Sequence, residues 1–327
     1  MLSRVADNLY WMSRYIERAE GIARMVQTNQ SIALEYSQND QQLEEFWQPV
    51  LQAICAKEED LMINGERKIG KSLIFSSSNP HSIWSCIMSA RENARMVRDQ
   101  LSEELWVELN HTYLFFRDGD AEGLYEQGSD HLLDRVTRFS QVFQGLSDAT
   151  VPHGEGWRFL SLGKYLERAD QTSRMLDTLN LRLKQPTRTD LTSVLRCCIA
   201  LSAFRQQFRS KISLRNVANF LLFSPDFPRS VRFCIRGIDH SLHAITGSPV
   251  GTFSNEAERL TGSALAMVNF TDFDQVEEKG LHETLDDIQT MLIEIGQRVF
   301  ETYVLLPSEI KSLGDRAAMQ QAPQQQQ

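Results

Sequence analysis

Residues Trp11–Asn29 read WMSRYIERAEGIARMVQTN, and 150 residues further on Ser161–Leu179 read SLGKYLERADQTSRMLDTL. Seven of the 19 aligned positions are identical: Tyr15/Tyr165, Glu17/Glu167, Arg18/Arg168, Ala19/Ala169, Arg24/Arg174, Met25/Met175 and Thr28/Thr178. Chance matching at roughly one position in twenty would give about one. A second pair follows in the same order, LIFSSSNPHSIWSCI from Leu73 and LLFSPDFPRSVRFCI from Leu221, identical at seven of 15 positions with the offset now 148. Two matching blocks in one order imply a duplication. The chain therefore reads as two related helical halves, 1–148 and 153–305, joined near SDATVPHGEG, with a tail over 306–327. Halves of this origin are expected to pack about a pseudo-two-fold axis, which brings equivalent residues to one central site.

The periodicity within the repeated stretch is helical. At 100° per residue Met12, Tyr15, Ile16, Ala19, Ile22, Ala23 and Val26 share an apolar face, while Arg14, Glu17, Glu20 and Arg24 lie opposite and Arg18 sits at the border. In the second copy the charged face returns as Lys164, Glu167, Asp170 and Arg174 with Arg168 at the border, although apolar positions drift, as in Ile22 to Thr172. Charge type recurs more faithfully than core shape. Such a set serves either as helix-surface ion pairs of a few tenths of a kcal/mol or as a buried, paired group at the junction of the halves, where Glu17 needs Arg14, Arg18 or Arg24 as its partner.

Outward from this stretch the same character holds. The nine prolines leave long proline-free segments of 3.6-residue period, which predict an all-α, multi-helix bundle. The helices fall over 3–36, 41–57, 82–101, 103–116, 131–146, 156–183, 190–209, near Asn216, 229–245, 256–268 and 273–304, with Asp190 and Thr271 as N-caps. A net charge of -9 argues against general nucleic-acid or anionic-membrane binding. The longest apolar run, near Cys197–Phe204, is too short for a bilayer. Five cysteines without a C-x-x-C spacing suggest a reducing compartment, so a cytoplasmic protein is expected. Cys197 and Cys198, flanked by apolar residues, read as core. The end, AAMQQAPQQQQ, reads as disordered.

Several patterns compete for a function. Gly65-Glu-Arg-Lys-Ile-Gly-Lys71-Ser72 satisfies the phosphate-loop pattern, but it lacks a preceding strand, and its repeat counterpart replaces Lys71 with Asn219. A solvated surface loop is expected there. His240 and His243 stand three apart with no third ligand in sight, so no metal and no cofactor are expected. Between Arg196 and Arg236 eight bases face the single acid Asp226. Arg229, Arg232 and Arg236 form one helical stripe, suited either to an anion or to ion pairs with the acidic stretch 272–287.

RYIERAE and KYLERAD, together with SARENARMVRDQLSEELWVELN and FPRSVRFCI, resemble the alpha-E family, an all-helical bacterial family named for its Glu-Arg motif. The resemblance runs from Met1 to about Leu306. It implies company with a circularly permuted ATP-grasp protein, encoded beside it or fused to it, and with a transglutaminase-like protein. By that resemblance the chain is an accessory or partner subunit of an ATP-grasp amide or peptide ligase system, binding the ligase or its anionic substrate. The alternative is an enzyme in its own right, with Glu17 or Glu167 as acid/base. Candidate anion- or partner-binding residues are Arg14, Arg18, Arg24, Arg91, Arg95, Arg168, Arg174, Arg229, Arg232 and Arg236. Ala90–Arg95 aligns with residues 238–243, where Arg91 and Arg95 become Asp239 and His243, so any central site is expected to be asymmetric.

Overall fold

In the computed structural model, which describes residues 1–36, 40–63, 66–180, 185–209 and 211–305, the fold is all-α. The helices are α1 (Ser3–Tyr36), α2 (Asp40–Ala53), α3 (Ile69–Phe75), α4 (Ile83–Met96), α5 (Glu103–Arg117), α6 (Asp120–Gln127), α7 (Ser129–Thr150), α8 (Glu155–Asp177), α9 (Arg188–Cys197), α10 (Leu201–Phe208), α11 (Leu214–Phe223), α12 (Val231–Thr246), α13 (Glu256–Phe270), α14 (Phe273–Lys279) and α15 (Leu281–Tyr303). The only extended pairing among the described residues is a two-residue antiparallel ladder, Met62–Ile63 with Glu66–Arg67. The tail 306–327, whose end is expected to be disordered, lies outside the described residues.

Helix starts are set by side-chain caps. Ser82, Ser102, Ser213, Ser230 and Asn255 each accept the backbone N–H three residues on, supplying an acceptor for a donor the helix leaves free. Two expected caps shift. Thr187, not Asp190, caps α9, with Asp190 as its reciprocal capping-box partner, and Asp272, not Thr271, caps α14 with Gln275. Two expected long helices are broken. The segment 190–209 interrupts at Ile199, whose φ of 55° ends the α-ladder, and 273–304 divides at Gly280, φ 108°, a conformation open to glycine. The expected surface loop at Lys71 is instead α3, whose Ile69, Ser72, Leu73 and Ile74 are buried. Its seven residues, like the eight of α6, are too short for periodicity to announce.

α1 and α8 pack against each other at the centre, α1 also against α4 and α7, and α8 against α12 and α15. The central pair is close because Gly163 presents no side chain to α1: a Cβ there would stand 2.2 Å from the Tyr10 carbonyl oxygen. Met12, Ile16, Ala19, Ile22 and Ala23 are almost wholly buried, as the apolar face requires. The opposite face is covered as well, so the charged residues of the repeat enter the core.

Candidate functional site

Glu17 and Glu167 are 0% and 2% exposed, and the pairing between them is crossed. Arg168 of α8 donates Nε (2.9 Å) and Nη2 (2.6 Å) to the two oxygens of Glu17 on α1. Arg18 of α1 donates Nε (2.7 Å) and Nη2 (2.9 Å) to Glu167 on α8. Both are two-point Arg–carboxylate forks, the geometry that combines strength with fixed orientation. Each Glu-Arg dipeptide thus supplies one half of both forks, and α1 and α8 are clasped twice. The partners expected for Glu17 from its own helix, Arg14, Arg18 and Arg24, are engaged elsewhere: Arg14 and Arg18 with Glu167, Arg24 with Glu20.

Around Glu17 the remaining lone pairs are taken up by the protein. Gln144 of α7 donates to Oε1 (3.0 Å), and Arg229 stands 3.4 Å from Oε2. Arg229 also donates to Glu20 (2.8 Å), which further accepts from Arg24 and from the Ser140 hydroxyl. Burial alone would raise the Glu20 pKa, but Arg229, Arg24 and Ser140 outweigh it and hold the carboxyl below its ordinary value. Lys164, the sequence counterpart of Arg14, makes no ion pair among the described residues; it lies 4.9 Å from the Tyr165 ring, and burial followed by the nearby Arg168 pulls its pKa down.

The Glu167 cluster is built from the same kinds of residue but is open. Arg14 Nε donates to Glu167 Oε2 (2.8 Å) and its Nη1 to the Tyr10 hydroxyl, while Arg174 pairs with Asp170 at 3.0 Å. Burial would raise the Glu167 pKa, yet Arg18 and Arg14 overcome it and hold it at about 2. Where the second sequence block places Arg229, the first has His81, whose pKa is lowered by burial and by Arg18. Where α7 reaches Glu17 with Gln144, α15 approaches Arg14 with Gly296, and Leu292, one turn earlier on α15, lines the same space. These shorter or apolar groups leave a cavity of about 580 Å³ between α1, α8, α15 and the end of α2. Its charged lining is Arg14, Arg18, Glu167, Asp170 and Arg174, with His81, Gln171 and Gln297 as further polar groups; Trp11, Met25, Leu292, Ile293 and Phe300 supply much of the apolar wall.

Other sequence candidates lie apart. Arg91 and Arg95 pair with Glu92 on the outer side of α4, Arg91 standing 4.8 Å over the Tyr113 ring. The Arg229 stripe is no unit, because Arg232 and Arg236 donate to the carbonyls of Phe223 and Pro225. The acidic stretch pairs instead with Arg215, Lys279 and His282. Cys198 is buried and Cys197 nearly so, their thiols pushed up by burial to about 12 and about 11. His243 faces Asp239 at 3.5 Å and His240 is exposed. Among the described residues, the group with the mutual reach of metal ligands is Asp177, His282 and Asp286, on the surface. No helix among the described residues is long and apolar enough to cross a membrane. Gln144, Ser140, Gln171 and His81 were absent from the sequence candidates; only His81 carries a sequence signal, through its alignment with Arg229.

A family described as a predicted alpha-helical domain with a conserved ER motif matches residues 1–304. The chain belongs to the Alpha-E family. The ER of that description stands here twice, as Glu17-Arg18 and Glu167-Arg168, and both copies form the clasp. Uncharacterized proteins of Mycobacterium bovis and Mycobacterium tuberculosis are 23% identical to this Alpha-E chain over 346 residues. The alignment covers 95% of the chain and 38% of each relative, so the chain spans well under half their length. No solved structure matches it.

Proposed function

We propose that this Alpha-E chain is a binding subunit of an ATP-grasp-type amide or peptide ligase system, holding an anionic substrate for a partner enzyme. The observation that carries the reading is the Glu167 cavity, where three guanidiniums line a space of about 580 Å³, within the range of small-molecule sites. Their Nη2 of Arg14, Nη1 of Arg18 and Nη2 of Arg174 have no acceptor among the described residues. The carboxylates are consumed by the clasp, and a group held ionised down to about pH 2 does not shuttle protons near neutrality. An acid/base role for Glu167 therefore loses to a binding role, and Glu17, wholly buried in its own fork with Arg168, offers a substrate no access.

The ATP-grasp partner comes from the family resemblance, and the greater length of the mycobacterial relatives is in keeping with a module that works beside further protein. Duplication is the simplest origin for the two clusters, given the offsets of 150 and 148 in sequence and the similar neighbours of α1 and α8. The test is copurification with the ATP-grasp protein, followed by ATP-dependent amide formation with and without the Alpha-E chain. Faster turnover or a lower KM for the acidic substrate is expected; no association and no effect on either constant would reject the reading.

A further inference from the structure

The two clusters differ by what reaches them from outside the α1–α8 pair. At Glu17 the Arg229 side chain spans both carboxylates, Glu17 and Glu20, and Gln144 completes the set. At Glu167 the sequence-matched His81 and the nearby Gly296 are too short to do either. The Glu17 cluster is thus filled by the protein's own side chains, and the Glu167 cluster leaves that space to a ligand.

The charge decides the kind of ligand. Three guanidiniums against the carboxylates of Glu167 and Asp170 leave one positive charge in the lining. His81 is held toward its neutral form and adds none. A single carboxylate neutralises that surplus, whereas a phosphate of about two charges exceeds it. Most of the rest of the wall is apolar and includes the Trp11 ring, with Gln171 and Gln297 among it, so the ligand needs a largely apolar body. Resting on the binding role above, we propose that the cavity takes a monocarboxylate on an apolar body, of the N-acyl amino acid type. Its carboxylate lies at Arg14, Arg18 and Arg174, and its body lies against Trp11, Leu292 and Ile293.

Cys55 provides the readout. It lines the cavity, its Sγ lies 3.2 Å from Arg174 Nη1, and it is the one exposed cysteine of the five. In the full chain, N-octanoylglycine should slow alkylation of Cys55 by iodoacetamide. Its uncharged amide, N-octanoylglycinamide, should need about tenfold more for the same protection, one lost charge-assisted interaction being worth about a factor of ten. Inorganic phosphate should not protect. His81→Arg, which restores the side chain present at position 229, should abolish protection. So should Ile293→Trp, a change at an exposed wall residue that threatens folding less. Equal protection by the amide, protection by phosphate, or full protection in a closing variant that melts like the parent would overturn the proposal. None of these measurements uses the ligase, so a failure to stimulate it would reject the partner role and leave the ligand assignment standing.

Discussion

The Glu17 and Glu167 clusters start from the same Glu-Arg pair and the same crossed forks, yet one is finished by the protein and the other is not. Arg229, Gln144 and Ser140 close the first; His81, Gly296 and Leu292 leave the second with a cavity and unspent donors. The lesson is that a buried ion pair has two separable jobs. The forks hold α1 to α8 in both clusters, while the residues brought by the flanking segments decide whether a third party can enter. A buried charge is tolerated only when paired, so the first job constrains Glu17 and Glu167 whatever the second cluster binds.

The comparison breaks most readily at Glu17. Glu17→Gln leaves Arg168 without its carboxylate beside a wholly buried position, Arg229 keeping Glu20, and should cost about 3–5 kcal/mol in urea unfolding. A loss below about 1 kcal/mol would mean that the closed cluster is not a lock. Acid should show the same chemistry through Glu167. Its folded pKa of about 2 lies below the value near 4.5 of an unperturbed glutamate, so its contribution is complete above pH 4.5 and is lost as pH falls toward 2. Unfolding midpoints between pH 5 and pH 2.5 should fall; a flat profile would contradict the pairing. Glu167→Gln sharpens the contrast, because Arg14 and Arg18 line the cavity and can be hydrated through it. A cost of about 2 kcal/mol, smaller than at Glu17, is expected, and a larger one would reverse the assignment of closed and open. The smallest effect belongs to Lys71→Ala. Ser72, the metal-binding position of the phosphate-loop pattern, is buried and donates its hydroxyl to the Asp60 carbonyl. Stability should change by less than about 0.5 kcal/mol, and the fluorescence of a labelled ATP should not respond differently to the variant.

Much of this was legible in the chain. The 3.6-residue period and the absence of proline placed the start of α1 at Ser3, and the offset of 150 singled out Glu17, Arg18, Glu167 and Arg168 before any fold was known. The crossing of the forks was not legible. Spacing reveals neighbours three or four apart on one helix, and so it offered Arg14, Arg18 and Arg24 to Glu17 when the true partner lay 151 residues away. Arg229 was found for the wrong reason: its stripe with Arg232 and Arg236 is a surface regularity, whereas its position just before α12 carries it into the core. Gln144 and Gly296 had no signal, since the side-chain reach that separates closed from open depends on how α7 and α15 lie against the central pair.

The central claim is that the Glu-Arg motif works between α1 and α8 rather than along either helix. A double-mutant cycle on Glu17→Gln and Arg168→Met, read as unfolding free energy beside the same cycle on Glu17→Gln and Arg14→Met, tests it directly. Coupling of about 2 kcal/mol or more is predicted for Glu17 with Arg168, and under about 0.5 kcal/mol for Glu17 with Arg14. Coupling concentrated in the Glu17–Arg14 pair, with none across the helices, would contradict it.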